Sequence, residues 1–312
     1  MKFRLALSIT LSVFICSAFI KRKSEFIVPK GWPEPKYDFN SNPYDADKVA
    51  MGRKLFYDPI LSIDNSISCA SCHSPFNAFA HTDHALSHGL HDSIGKRNAP
   101  GLFNLAWQER FMWDGAIHHL DMQPLAPLSN PNEMGENLPH LLDKLNASSA
   151  YKELSIKAFH DSVITSQHFL QAIAQFMLSL TSSESRYDSV MRKQASFTPQ
   201  EQQGYFIYKS NCANCHKEPL FTNGGFERNG LPPDPKLQDE GRSVITNNKN
   251  DSLKFKVPSL RNLEYTAPYM HDGRYKRLQD VISYYTSIQD YPELLSRNDH
   301  QQTIKMGEKE KI

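Results

Sequence analysis

The chain has 312 residues, is 39% hydrophobic and has a mean hydropathy of −0.54. This composition is typical of a soluble globular protein of about two domains, and it excludes a disordered, collagen-like or polytopic membrane protein. The 35 basic and 34 acidic residues nearly cancel, giving a formal charge of +1, and no basic tract stands out. Nucleic acid is therefore not expected as a partner.

Residues 1–25 have the pattern of an export signal. Lys2 and Arg4 precede an apolar run at residues 5–20, which is short for a membrane span. A basic run at residues 21–23 is unusual after a cleavage site, so retention as an N-terminal membrane anchor stays open. The sequence thus predicts an exported, periplasmic protein whose contact with a membrane would be through this segment only.

Helical signals dominate the remainder of the chain. Apolar residues at helical spacing predict helices over residues 47–56 and 164–180, and a third helix begins after Thr198, an N-cap followed by proline. Residues 277–285 form another amphipathic segment, and strand signals are scarce. The predicted fold is mainly α, with long ordered loops.

Four of the five cysteines form two identical motifs. Residues 69–73 read CASCH and residues 212–216 read CANCH, which is the attachment pattern of c-type haem. Two thiols on one helical turn reach the two vinyl groups of a porphyrin, and the adjacent imidazole then lies under the iron. No third cysteine pair is present to complete a tetrahedral zinc site. The sequence predicts two covalent haems, attached and ligated by Cys69, Cys72, His73, Cys212, Cys215 and His216.

The two halves of the chain share a longer pattern. Residues 99–120 match residues 257–278 without a gap and with eight identities, where composition alone would give about one or two. We therefore expect two tandem c-type cytochrome domains related by internal duplication. The predicted boundaries are 26–190 for an N-terminal peroxidatic haem domain and 191–312 for a C-terminal electron-transfer haem domain.

The duplication bears on the second axial ligand of each haem. Met270 is a candidate thioether ligand of the second haem, but Met112 has the same place in the first copy, and a shared packing role explains both. Tyr285 corresponds to Pro127, which has no ligating atom. A Tyr285 phenolate would close the second haem and leave the first open, with Met270 as the alternative ligand.

A series of ordered motifs resembles the bacterial di-haem cytochrome c peroxidases, and more closely their MauG-type branch. These motifs are LFYDPILSIDNSISCASCH, KRNAPGLFN, FMWDG, SNPNEMG, VPSLRN and TAPYMHDG, and the resemblance runs from about Asp47 to Tyr285. It implies an N-terminal haem that reacts with peroxide, a C-terminal haem that transfers electrons, and one calcium ion between them. The tyrosine of the MauG-type branch and the methionine ligand of conventional members both fall on Tyr285.

The resemblance also implies roles for side chains around the first haem. Glu133 matches the distal carboxylate, Gln123 and Pro127 match neighbours that line the open face, and Trp113 matches the indole between the haems. By the residues alone, Glu133 could also be an exposed loop carboxylate, and Trp113 could be ordinary core packing. The family's calcium ligands, an oxygen set suited to a hard cation, match Asn98, Thr266 and Pro268.

One position departs from the conventional members, which place a histidine on the resting peroxide-binding haem. Leu90 stands at that position, and the neighbours His88 and His91 are out of frame. Together with His81 and His84 they are spaced by three and four residues and could mimic a metal site. The surrounding glycine and serine residues favour a solvated loop instead.

The sequence thus predicts a di-haem c-type peroxidase that reduces hydrogen peroxide to water. Its electrons would come from a small carrier protein, a c-type cytochrome or a cupredoxin. One alternative is a MauG-like oxidase that uses peroxide to oxidise a protein or organic substrate, and another is a non-enzymatic two-haem electron carrier. An anionic Tyr285 ligand would lower the potential of the second haem relative to a thioether, which favours the oxidase.

Overall fold

The computed structural model describes residues 24–287, and the predicted export signal lies almost entirely outside them. The helices of this part are α1 (Ala46–Tyr57), α2 (Cys69–Cys72), α3 (Leu125–Ser129), α4 (Leu138–Ala147), α5 (Ser149–Phe159), α6 (Ser166–Ser179), α7 (Arg186–Met191), α8 (Pro199–Asn211), α9 (Ser243–Thr246) and α10 (Leu278–Ser287). Strands β1 (Phe226–Glu227) and β2 (Phe255–Lys256) form one short antiparallel pair. The prediction of a mainly helical fold is confirmed. None of these helices is both long and apolar enough to cross a membrane.

The two helices predicted from spacing and the one predicted from the Thr198 cap are present, and each begins at a side-chain cap. The Asp45 carboxylate accepts from two backbone N–H groups of the first turn of α1. The Thr165 hydroxyl caps α6 in the same way, and Thr198 forms a reciprocal capping box with Glu201 at the start of α8. Such caps satisfy donors that have no partner within the helix, so these helix starts are encoded locally.

The main apolar core lies between α1 and α6. A Cβ atom on Gly52 would lie 1.9 Å from the carbonyl oxygen of Ala172, so only glycine allows the two helices to approach this closely. The rings of Phe56 and Phe176 meet across the same contact, with centroids 5.0 Å apart. This helix pair forms the rigid support for the N-terminal half.

Burial of apolar side chains is uneven along the chain. Among the described residues that follow residue 190, the only buried apolar side chains are Leu231, Val257 and Pro268. Helix α8 has no buried residue over its 13 positions. The C-terminal half therefore has almost no aliphatic core of its own, and such a segment needs another source of apolar contact to stay folded.

The two aligned segments have matching backbone features at a constant spacing along the chain. The matching pairs are the 3₁₀ turns Leu105–Trp107 and Leu263–Tyr265, the left-handed residues Asn104 and Asn262, and the left-handed residues Met112 and Met270. Non-glycine residues seldom adopt a positive φ, so the same exception at two matched positions is informative. The sequence match thus extends to local conformation.

The same segments also contact each other reciprocally. The backbone N–H of Asn98 donates to the carbonyl oxygen of His271 at 2.7 Å. Lys256 is the counterpart of Asn98, and its N–H donates to the carbonyl of Trp113, the counterpart of His271, also at 2.7 Å. An exchange of equivalent contacts is typical of an interface around a two-fold axis.

A buried ion pair joins the C-terminal half to α7. Arg261 donates two parallel hydrogen bonds to Asp188, both 2.8 Å, and both side chains are 4% exposed. Arg261 also donates to the carbonyl of Pro219 at 2.8 Å and lies 4.6 Å from the ring centroid of Trp32. Burial opposes ionisation of Asp188, but Arg261 and Ser185 outweigh it and hold the pKa of this carboxyl below its usual range.

We expect Asp188→Ala to lower the free energy of unfolding by about 3–5 kcal/mol, because it leaves the Arg261 charge buried without a partner. The exposed Glu184–Arg192 pair is a matched control, and Glu184→Ala should cost at most about 1 kcal/mol. Urea titration measures both. The Asp188 contribution is present above the ordinary aspartate pKa of about 3.9 and is lost as the pH falls through its lower folded value. Equal effects of the two substitutions would contradict this account.

Candidate active site

One connected cavity of about 1180 Å³ joins the two C-x-x-C-H motifs. This volume exceeds the range of roughly 300–1,000 Å³ that is common for the site of one small ligand. The structure brings every predicted site residue to its wall. They are Cys69, Cys72, His73, Asn98, Trp113, Gln123, Pro127, Glu133, Cys212, Cys215, His216, Thr266, Pro268, Met270 and Tyr285.

The first motif is held on a single helical turn. Helix α2 contains Cys69 and Cys72, and the backbone N–H of His73 donates to the Cys69 carbonyl at 3.0 Å. The His73 Nδ1 atom lies 2.7 Å from the carbonyl oxygen of Phe79, so Nδ1 carries the proton and donates a hydrogen bond to this oxygen. Burial lowers the pKa of His73, so the ring is neutral. The lone pair is thereby assigned to Nε2, as in a metal-ligating histidine whose other nitrogen is hydrogen bonded.

The second motif has the same arrangement directly after α8. The backbone N–H of His216 donates to the Cys212 carbonyl at 2.9 Å. Its Nδ1 lies 3.0 Å from the carbonyl oxygen of Pro258 and 3.2 Å from that of Phe221. Burial lowers the pKa of His216, so this imidazole is neutral as well. Both motifs therefore present an imidazole nitrogen in the state that iron ligation requires.

These residues fit a covalently attached haem at each motif. The four cysteines of the motifs are free thiols, as thioether formation requires. Apolar side chains such as Phe56, Leu61 and Ile173 line the cavity beside the first motif. In the half that carries the second motif, a macrocycle would supply the apolar contact that the chain lacks.

Glu133 lies in the cavity wall and is not the exposed loop carboxylate that the sequence also allowed. It is partly buried, and it accepts a hydrogen bond from Asn130 at 2.8 Å. Burial raises the pKa of Glu133, and the bond from Asn130 only partly offsets this. The Glu133 carbonyl accepts from Leu90 at 3.0 Å, and a Cβ on Gly89 would lie 1.9 Å from the Asn132 carbonyl oxygen. Two closely packed loops therefore fix this carboxylate.

The histidine-rich loop before residue 92 is only partly the solvated loop that the sequence predicts. His84 and His91 are exposed, but the rings of His84 and His88 stack with centroids 4.1 Å apart, and His81 lies 5.6 Å from His84. Leu90 is buried away from the cavity, whereas His88 lines it. Across residues 24–287, no group of three or more His, Cys, Asp or Glu side chains is arranged to hold a metal ion.

Asn229 holds the two candidate ligands of the second haem at one point of the cavity. Its side-chain amide lies 3.6 Å from the Met270 sulfur and 3.3 Å from the Tyr285 hydroxyl oxygen. In the first copy, Gln123 contacts the Met112 sulfur at 3.7 Å in the same manner. Burial raises the pKa of the Tyr285 phenol. Sequence reasoning missed Asn229, because it lies in a loop outside every recognisable motif.

The predicted calcium ligands share the cavity wall with the indole of Trp113. The Trp113 N–H donates to the Asn98 carbonyl at 2.9 Å, and the Asn98 amide donates to the Ala85 carbonyl at 3.0 Å. Thr266 and Pro268 lie along the same cavity. The structure thus connects Trp113 directly to Asn98, a link that neither motif reveals.

A partly buried charge cluster, also missed from the sequence, connects the two halves. Arg97 donates to Asp114 at 2.6 Å and to Asp239 at 2.6 and 2.8 Å. Burial disfavours charge on Arg97, but the two carboxylates outweigh it and raise the pKa of this guanidinium. All three side chains line the cavity. Because Asp239 lies far along the chain from Arg97, no local pattern could have paired them.

The chain is similar to known haem proteins over most of its length. A family model described as di-haem cytochrome c peroxidase matches residues 46–196. The methylamine utilization protein MauG of Methylophilus methylotrophus is 32% identical, over 90% of this chain and 84% of that protein. The cytochrome c551 peroxidase of Nitrosomonas europaea is also 32% identical, over 91% and 83%. A crystal structure of a MauG-like protein associated with microbial copper homeostasis has a TM-score of 0.81 at 29% identity and covers 91% of each chain.

The contacts of Asn229 lead to a test of the second axial ligand. Tyr285→Phe should change the spin state and the potential of the second haem, because a phenyl ring cannot coordinate iron. Met270→Leu is nearly volume-conserving, so it should cost less than about 1.5 kcal/mol of stability and leave the low-spin spectrum intact. Low-temperature absorption and redox titration of both variants measure this. A lost low-spin signal in Met270→Leu with a silent Tyr285→Phe would instead assign a His/Met pair.

Proposed function

The chain belongs to the di-haem cytochrome c peroxidase family, and we propose that it is an exported, periplasmic enzyme that reduces hydrogen peroxide to water. Its electron donor would be a small redox protein, a c-type cytochrome or a cupredoxin. The observation that carries this proposal is the single cavity that joins two haem-attachment motifs and includes the partly buried carboxylate of Glu133. Export is supported by the apolar run at residues 5–20.

The proposed architecture is two tandem haem domains, residues 26–190 and 191–312, that arose by duplication. The matched turns and left-handed residues of the two segments support it. The reciprocal hydrogen bonds, from Asn98 to His271 and from Lys256 to Trp113, support it independently. Each copy would contribute one haem, and the two copies would meet at the wall of the shared cavity.

At the first site, His73 and Glu133 would act on peroxide in different ways. When bound, the haem groups supply the redox chemistry that side chains cannot. His73 would ligate the first iron through Nε2, because its Nδ1 is held by the Phe79 carbonyl. Glu133 would take the proton from the near oxygen of peroxide and deliver it to the far oxygen. Burial raises its pKa toward neutral pH, which suits a group that both accepts and donates a proton. Pro127 offers no ligand and keeps the peroxide position open.

At the second site, His216 and Tyr285 would be the residues that hold the haem iron. Trp113 lines the cavity between the two motifs and would carry electrons between them. Its hydrogen bond to Asn98 couples it to the proposed calcium site, where Asn98, Thr266 and Pro268 would supply oxygen ligands. The calcium ion would thereby hold the indole in place.

One observation favours a second candidate function, a MauG-like oxidase that uses peroxide to oxidise a protein or organic substrate. Tyr285 lies on the cavity wall beside Asn229, where a phenolate could ligate the second iron. Such a ligand lowers the potential and makes the haem a poorer acceptor of carrier electrons. A non-enzymatic carrier would need two closed haems, and Pro127 supplies no ligand for the first.

We expect Glu133→Gln to slow the reaction with peroxide by about 10²-fold or more, because a positioned acid–base group is lost. Both haems should remain attached. Glu109→Gln is the matched control, since this carboxylate also lines the cavity but is 70% exposed. Stopped-flow mixing with peroxide measures the rates. Unchanged kinetics in Glu133→Gln would remove this residue from the mechanism.

A further inference from the structure

A cluster of phenols lies beside His216 and has no role in the mechanism above. We call Tyr187, Tyr205 and Tyr208 the tyrosine cluster. Tyr205 is its centre, with ring centroids 6.0 Å from Tyr208 and 6.2 Å from Tyr187, and Phe221 contacts both outer rings at 5.3 and 4.7 Å. The hydroxyl of Tyr208 donates to the carbonyl oxygen of His216. The cluster thus touches the backbone of the residue that would ligate the second iron.

Two of these phenols share one proton acceptor. The hydroxyls of Tyr187 and Tyr205 donate to the same oxygen of Glu218, at 2.6 and 2.8 Å. The other Glu218 oxygen accepts from Lys209 at 2.6 Å, which keeps the carboxylate in place. The Tyr208 hydroxyl donates to the His216 carbonyl oxygen, which is too weak a base to take up the phenolic proton. A phenol is oxidised far more readily when its proton can leave with the electron, so Tyr187 and Tyr205 are equipped for oxidation and Tyr208 is not.

Of the two, Tyr205 is the better placed. It stacks on Tyr208, which lies between it and His216. Tyr187 instead lies 5.8 Å from the Arg261 guanidinium, whose charge disfavours removal of an electron from the ring. The Tyr151 hydroxyl donates a similar hydrogen bond of 2.7 Å to the Asp58 carboxylate, but its ring lies beside Lys54 at the C-terminal end of α1. A hydrogen bond to a carboxylate therefore does not distinguish Tyr205 by itself. What distinguishes Tyr205 is its contact with Tyr208, which leads to His216.

We propose that the tyrosine cluster is a redox-active side site, which takes up an oxidising equivalent from the second haem when donor electrons are lacking. Tyr205 gives one electron, by way of Tyr208, to the oxidised haem held at His216. Its phenolic proton moves to Glu218 along the existing hydrogen bond, leaving a neutral tyrosyl radical and a haem reduced by one electron. A later electron from the donor, together with the Glu218 proton, restores the phenol. This proposal rests on the proposed function, which supplies the oxidant.

The test uses the ferric holoprotein mixed with one equivalent of hydrogen peroxide without an electron donor. Freeze-quenched samples are examined by electron paramagnetic resonance, and haem absorbance is followed in parallel. The parent protein should develop a tyrosyl signal that narrows when its tyrosines are deuterated. Tyr205→Phe should lose the signal. Glu218→Gln should slow its appearance by about 10²-fold, because the positioned proton acceptor is gone. Tyr151→Phe is the control and should behave like the parent.

Haem absorbance separates the two possible failures. Suppose that the haem absorbance changes normally on peroxide addition and that the tyrosyl signal is undiminished in Tyr205→Phe. This result would overturn the side site and leave the proposed function intact. Absence of any haem change in the parent protein would overturn both. Intact haem content and an unchanged ferric spectrum in both cluster variants would show that they are folded, since each substitution preserves the shape of the side chain.

Discussion

In the proposed enzyme, the C-terminal half would depend on one covalent constraint, the attachment of a haem to Cys212 and Cys215. After residue 190 the only buried apolar side chains of the described chain are Leu231, Val257 and Pro268. So small an apolar core cannot offset the entropy lost on folding. A haem anchored at this motif would supply the missing contact surface. The carbonyls of Pro258 and Phe221 hold the His216 ring that would ligate its iron. The same residues thus serve folding and ligation.

The two matched segments would perform different tasks because a few of their side chains differ. Met112 and Met270 have the same left-handed conformation, and each sulfur contacts an amide side chain. The main difference between the matched regions is Tyr285, which stands at the position of Pro127. In the proposed enzyme this one difference leaves the first iron open to peroxide and closes the second. Two segments with the same backbone conformation would therefore differ in whether their iron has a second protein ligand.

Local signals in the sequence predicted much of the fold and the proposed site. The caps Thr165 and Thr198 mark helix starts because they satisfy donors within a few residues, and the haem motifs likewise act within one turn. Contacts between distant segments were not predictable. Asn229 meets Tyr285, and Arg97 meets Asp239, only because the tertiary fold brings loops together. The spacing of residues along the chain does not predict such long-range contacts.

The asymmetry between the two haems is the central claim, and the spectrum of the resting ferric protein tests it most directly. Electron paramagnetic resonance should show one high-spin haem, open because Pro127 provides no ligand and Leu90 is buried away from the cavity, and one low-spin haem at His216. Two low-spin signals would contradict the account. They would mean that a side chain such as His88, which lines the cavity, closes the first haem.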